Sequence, residues 1–192
     1  YTSLNKLLPP KVLDNESFWR IWIDGSKVYF QTFRNIYVYD HQTMRQLTIP
    51  EGFLLLLKVR NEYWVQEMHG PLHQLKDGRL SKIEGSEFLN GTTTRVILPY
   101  GKDRYLIGTS TGEIYIYDKK NFIPWNNALS SQLHGQELNC GIYCAKRNSY
   151  YLGTQLSGIY EIDVQGNILN HFSAANSLQN NTILSLYEDN RN

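Results

Sequence analysis

Arg104–Asp118 reads RYLIGTSTGEIYIYD, and 45 residues further on Ser149–Asp163 reads SYYLGTQLSGIYEID. Each stretch holds an aromatic apolar run, a Gly-Thr pair (Gly108-Thr109, Gly153-Thr154), a turn at Gly112 or Gly158, and a second run closing on Asp118 or Asp163. Ile114-Tyr115-Ile116-Tyr117 shows the two-residue period of a strand. Gly or Asn suits the turn between the runs because a central hairpin residue takes positive φ. Lys27–Asp40 (KVYFQTFRNIYVYD, turn at Asn35) and Glu62–Leu75 (EYWVQEMHGPLHQL, turn at Gly70) follow the same plan. The equivalent positions Thr32, Glu67, Thr109 and Thr154 are spaced by 35, 42 and 45 residues. Periods of this size with about four strands each indicate propeller blades or a related array.

Working outward, each hairpin is preceded by an apolar strand: Phe18–Ile23, Phe53–Val59, Arg95–Leu98 and Asn139–Ala145. Each is followed by a more polar one, near Arg45–Ile49, Leu80–Ile83, Phe122–Trp125 and Ile168–Phe172, with Pro124 confining the third of these to an edge. The expected fold is therefore all-β. It is a partial β-propeller of four-stranded antiparallel blades over residues 1–192, with blades at 13–50, 51–88, 89–132 and 133–175. Residues 176–192 start a fifth, because Leu178–Asp189 matches Leu13–Asp24 at an offset of 165. The apolar first strand of each blade is expected innermost and the polar fourth outermost. A partial propeller presents open blade faces, so the remaining blades are expected from the rest of a longer polypeptide. Closure into four blades is the alternative.

Composition agrees. Only four alanines stand against 14 Tyr, 7 Phe and 4 Trp, a mix that suits strands over helices. Lys+Arg 19 against Asp+Glu 18 leaves a net charge of +1, with no block of like charge. That argues against nucleic-acid binding by bulk charge. The longest apolar run, Phe53–Leu57, is too short to span a bilayer, and the opening residues lack a signal-peptide pattern. A secreted chain whose signal has been removed stays open. Cys140 and Cys144 on one strand would sit about 13 Å apart, too far for a disulfide, so they read as two small buried residues.

Leu178–Asp189 (LQNNTILSLYED) resembles the opening of the two-component regulator propeller repeat, and Tyr105–Thr109 and Tyr151–Thr154 resemble its aromatic, Gly-Thr half. The first two units depart from it, with Gln31-Thr32 and Gln66-Glu67 at the Gly-Thr position. The resemblance implies the periplasmic sensor half of a hybrid two-component regulator of carbohydrate-degrading gut bacteria. It further implies a membrane helix, kinase and receiver domains elsewhere in the protein, and a homodimer whose packing shifts on binding. The Trp-Asp, kelch and sialidase signatures are absent.

Chemistry is sparse. His69-Gly-Pro-Leu-His73 has zinc-like spacing, but Gly70 and Pro71 preclude the helix that would align both rings. No nucleophile elbow, Walker loop or dinucleotide fingerprint occurs. No catalytic residue, metal or cofactor is therefore assigned. Binding is the better-supported role. A sugar site needs planar donors and acceptors for hydroxyls and an aromatic face for the ring. The candidates are Arg34 and His69 at the second-to-third-strand turns, Trp19, Arg20 and Trp22 on the first inner strand, and Asn180 and Asn181 in the link before the fifth unit. Each has a plainer role as core or turn former. The leading expectation is a periplasmic, oligosaccharide-sensing module regulating polysaccharide-utilisation genes. The alternative is a protein-interaction scaffold without a small-molecule ligand.

Overall fold

The computed structural model describes residues 4–8, 16–49 and 51–189. The chain divides into two compact units, residues 1–83 and 84–192. In the first unit, β1 (Arg20–Asp24), β2 (Lys27–Gln31), β3 (Asn35–Tyr39) and β4 (Met44–Thr48) form one sheet, and β5 (Phe53–Val59), β6 (Glu62–Glu67), β7 (Leu72–Lys76) and β8 (Arg79–Lys82) form another. In the second unit, β9 (Thr94–Tyr100), β10 (Arg104–Thr109), β11 (Ile114–Tyr117) and β12 (Phe122–Pro124) form a third. The strands β13 (Leu138–Cys144), β14 (Ser149–Thr154), β15 (Ile159–Asp163) and β16 (Ile168–Phe172) form the fourth. Every pair is antiparallel and joins strands consecutive in the chain, so each sheet is a four-stranded meander, A to D.

Alternation drives the packing. One face of each sheet buries its apolar residues against the next sheet of the same unit. In the first unit Tyr29, Ile36 and Val38 meet Phe53, Leu56, Tyr63, Val65 and Leu75, with Tyr29 stacked on Tyr63 at 4.4 Å between centroids. In the second, Leu106, Ile114 and Ile116 meet Leu138, Tyr150, Leu152, Tyr160 and Ile162. The fourth strands are the most exposed, with Met44–Thr48, Arg79–Lys82 and Ile168–Phe172 largely in solvent.

The repeat residues have identifiable duties. The Thr of the motif staples the B–C turn in three sheets. Thr154 Oγ1 donates to Gly158 O at 3.0 Å and accepts from Ser157 N–H at 2.8 Å, while Thr109 Oγ1 accepts from Glu113 N–H at 3.2 Å. Thr32 Oγ1 accepts from Asn35 N–H at 3.0 Å. The closing Asp organises the C–D turn. Asp118 Oδ1 accepts from Lys120 and Asn121 N–H at 2.9 and 2.7 Å, and Asp40 and Asp163 do the same for Thr43 and Gln165 at 2.6 and 2.9 Å. In the second sheet Asp77-Gly78 takes over that turn with positive φ at both residues, the geometry of a two-residue hairpin loop.

Several details differ from the sequence reading. Asn35 begins β3, and its turn is Thr32–Arg34, because the side chain is drawn into bonds with Glu16, Gln46 and Thr48. A short helix, α1 (Ala128–Leu133), lies between β12 and β13. It is capped by Asn127 and Ser130 in a reciprocal capping box and buries Leu129 and Leu133 completely. The cysteines are free and half-buried rather than buried. Residues 182–189 form no strand ladder, yet Ile183 N–H donates to Thr154 O at 2.9 Å and Asn139 Nδ2 donates to Ile183 O at 2.8 Å. The segment thus lies against the fourth sheet where the inner strand of a further blade would pack.

Candidate functional site

The B–C turns and the links from one sheet to the next emerge at one end of each sheet. In the first unit these pieces are tied together through Gly52. Phe53 N–H donates to Phe33 O at 2.6 Å, and Met68 N–H donates to Gly52 O at 2.9 Å. The Thr32–Arg34 turn and the turn holding His69 therefore share one end. Gly52 has φ +91°, and a Cβ there would stand 2.9 Å from Phe33, so this close approach needs glycine.

Arg34 is exposed on the first turn, and His69 is exposed on the second at φ +54°. Trp19 is 50% exposed and lies against Phe33 with centroids 5.8 Å apart. These form an aromatic and cationic surface. Glu16 braces it from beneath, accepting hydrogen bonds from Thr32 Oγ1 and from Asn35 Nδ2. Burial, with the Glu16 carboxylate adding to it, pushes the Tyr37 hydroxyl up to about 12. Trp22 sits apart from that surface: it packs against the core between the first two sheets and donates Nε1–H to Leu56 O at 3.2 Å. Arg20 is half-buried on β1. His73 stands half-buried on β7, where burial holds its pKa below the ordinary value. Among the described residues no group of three or more His, Cys, Asp or Glu could hold a metal ion.

Asn180 and Asn181 lie in the link that follows β16, in the second unit. Asn180 Oδ1 accepts from Thr182 N–H at 2.8 Å, and Asn181 Oδ1 accepts from Ala174 N–H at 2.7 Å. Asn181 O also accepts from Gly158 N–H at 3.0 Å, so this link is fastened to the B–C turn of the fourth sheet. Both side-chain oxygens are engaged in shaping the link.

A cavity of about 360 Å³ opens at the other end of the second unit, where the A–B and C–D turns emerge. Its lining comes from three turns: Pro99, Tyr100, Gly101 and Arg104 from the β9–β10 hairpin, Tyr143, Asn148 and Tyr150 from the β13–β14 hairpin, and Val164 and Gln165 from the β15–β16 turn. The Arg104 guanidinium lies over the Tyr100 ring at 4.7 Å from its centroid, a cation–π arrangement. Tyr143 and Tyr150 are 5.0 Å apart, and each hydroxyl is anchored at 2.8 Å, on Asn148 Oδ1 and Pro99 O respectively. The sequence reading passed over this cleft. The signal that points to it is the flanking of two basic turns, Gly101–Arg104 and Ala145–Asn148, by tyrosines at the strand ends.

No family model matches the sequence, and no curated protein matches it. Solved structures do match in fold. The extracellular domain of BT4673 from B. thetaiotaomicron, described as a putative one-component system and as a putative hybrid two-component system, aligns with TM-score 0.66 at 15% identity. Those alignments cover 88% and 90% of this chain and 25% of that one. YCF48 from Cyanidioschyzon merolae aligns with TM-score 0.56 at 9% identity over 71% of this chain and 47% of its own. The computationally designed Ika4 protein aligns with TM-score 0.51 at 14% identity, over 79% and 88% of the two chains. The chain spans about half the length of YCF48 and a quarter of the BT4673 domain. With its four meanders and a docked segment beyond them, the chain is a partial β-propeller of four four-stranded blades and the beginning of a fifth.

Proposed function

We propose that this chain is part of the extracytoplasmic sensor propeller of a hybrid two-component signalling protein, binding an oligosaccharide and regulating polysaccharide-utilisation genes. The observation that carries the reading is the likeness in fold to the BT4673 extracellular domain along nine-tenths of the chain. The repeat resemblance of Tyr105–Thr109, Tyr151–Thr154 and Leu178–Asp189 supports it from the sequence side. In this reading further blades of the same polypeptide complete the ring, and sugar is contacted at the Trp19, Phe33 and Arg34 surface, with His69 on the neighbouring turn. The periplasm is the expected compartment. No helix among the described residues is long and apolar enough to cross a membrane. Ligand would act by binding one packing arrangement of a homodimer more tightly than another. Kinase chemistry would belong to other domains.

The test is autophosphorylation of the full-length protein in lipid vesicles, with and without a panel of oligosaccharides, for the wild type and Arg34→Ala. A change in phosphorylation with one glycan, weakened in the variant, is the expected result. A protein-interaction scaffold is the second reading. Its contact surface would include the large apolar side chains left in solvent, Ile21 and Ile23 on β1 at 60% and 72% and Leu184 and Tyr187 at 79% and 84%, which further blades would cover in the sensor reading. No response to any sugar, with a protein partner of defined stoichiometry recovered instead, would decide for the scaffold.

A further inference from the structure

Where β9 breaks register, Thr94 stands opposite Thr109 and Val96 opposite Gly108, and Arg95 between them has no partner position on β10. In β13 the residue so placed is Asn139, between Leu138 and Cys140. A bulge re-aims the side chain of its extra residue, and bulges are common beside functional sites. The two side chains are employed differently. Asn139 Nδ2 donates to Ile183 O at 2.8 Å, so its amide fastens the segment that docks on the fourth sheet. Arg95 has no such duty. Its Nε is buried without a hydrogen-bond partner, and it enters none of the ion pairs of the described residues. The side chain is half-buried. A guanidinium so placed has given up hydration and received no acceptor in return, a cost that a bound anion would offset. Its planar fork of donors matches an oxyanion with two parallel hydrogen bonds.

The strand end beside Arg95 is rich in hydroxyls. Ser110 N–H donates to Thr93 O at 2.7 Å, and Thr93 N–H donates to Ser110 Oγ at 3.2 Å, so the B–C turn of the third sheet is fastened to the start of β9. Thr92 Oγ1 lies 3.2 Å from Ser110 Oγ and 3.4 Å from Thr111 Oγ1. Each of these hydroxyls can donate or accept, so each can turn toward the hydroxyl of a ligand. The acid of that turn, Glu113, accepts from Thr111 Oγ1 at 3.1 Å and forms no ion pair with Arg95.

We propose that Arg95, with the hydroxyls of Thr92, Ser110 and Thr111, forms a binding site for a hydroxylated ligand bearing an oxyanion, and that Arg95 takes the anion. The site rests on these residues alone and does not depend on the sensor reading.

Isothermal titration of the full-length protein at constant ionic strength tests it, with sodium glucuronate, glucose 6-sulfate, glucose 6-phosphate and methyl glucoside as probes. At least one of the three anions binds, and the neutral glucoside binds about tenfold more weakly or not at all. The best of the three identifies the natural group as carboxylate, sulfate or phosphate. Arg95→Met lowers the affinity for that anion about tenfold or more. Arg95→Lys keeps the charge but loses the fork, and lowers it by a smaller factor, as does Thr111→Val. A second readout separates a ligand-binding Arg95 from a structural one. Arg95→Met leaves the thermal midpoint of the free protein unchanged or raises it, because it removes a charge that nothing in the fold pairs. No binding by any anion, equal binding of neutral and charged sugars, or anion binding that survives Arg95→Met overturns the proposal. A lowered midpoint in Arg95→Met overturns it as well, since the guanidinium would then have its partner within the protein.

Discussion

The first sheet and the last two solve one packing problem in opposite ways. The position before the turn-stapling Thr faces the inner strand of the next sheet. In the third and fourth sheets it is glycine. A Cβ on Gly108 would stand 2.5 Å from Leu138 Cδ2, and one on Gly153 would stand 2.6 Å from Ile183 Cγ2. In the first sheet it is Gln31, fully buried, whose amide reaches into β5: Nε2 donates to Leu54 O, and Oε1 accepts from Leu56 N–H at 2.7 Å. β5 breaks register between Phe53 and Leu56, so its backbone groups there lack ladder partners, and Gln31 supplies them. The inner strands β9 and β13 carry a register break at the matching place, opposite Gly108-Thr109 and beside Leu138–Cys140. A bulge in the inner strand thus recurs in the second, third and fourth sheets, while β1 pairs with β2 in unbroken register, and the residue facing the bulge is the variable. Either nothing stands there and an apolar side chain enters, or an amide stands there and satisfies the bulge.

The largest effect is expected from breaking the amide solution. Gln31→Ala leaves a buried carbonyl and a buried N–H without partners, and should cost about 3 kcal/mol in denaturant unfolding. Amide exchange at Leu56 should accelerate with it. Unchanged stability would mean that Gln31 fills space only. Breaking the glycine solution should cost less. Gly153→Ala forces Ile183 aside, at about 2 kcal/mol, and proteolytic cleavage within residues 182–189 should speed up. Thr154→Val keeps the shape but removes the turn staple, for about 1 kcal/mol.

The smallest effect concerns the closing aspartates. Turn N–H groups hold Asp40 and Asp118 below the ordinary carboxylate range. For Asp163 burial pushes upward, but the side chain and backbone N–H of Asn167 outweigh it. Folded values below unfolded ones mean a contribution that is complete above about pH 4 and lost as pH falls through the folded values. Thermal midpoints should therefore decline below about pH 4, and Asp118→Asn should flatten that decline slightly.

Sequence made the meanders legible because strand alternation, turn glycines and the Thr staple are each imposed by local geometry. Gly108 and Gly153 stood out for the same reason: only the absence of a side chain fits there. Gln31 aligned with the glycine position, but its role was not legible, because it acts on a residue 23 positions away and leaves no local pattern. The helix at Ala128–Leu133 did carry signals, in Asn127, Ser130 and the positive-φ Gly135, but it is shorter than two turns, and the strand pattern around Pro124 drew the reading elsewhere. At the B–C end, Trp19 and Arg34 stand at the surface, while Trp22 belongs to the core, since strand alternation carries its ring toward β5. The Tyr100 and Arg104 cleft left only a partial local trace, the tyrosines flanking two basic turns, as its lining runs from Pro99 to Gln165 and is assembled only when two sheets pack.

The most direct measurement is a set of nuclear Overhauser contacts on the isotopically labelled full-length protein. The account predicts strong cross-peaks from Gly108 Hα to the Leu138 methyls, from Gly153 Hα to the Ile183 methyls, and from the Gln31 side-chain amide to the Leu56 N–H. If the first two are absent while each sheet's own cross-strand contacts persist, the meanders are not packed as successive blades, and the account is wrong.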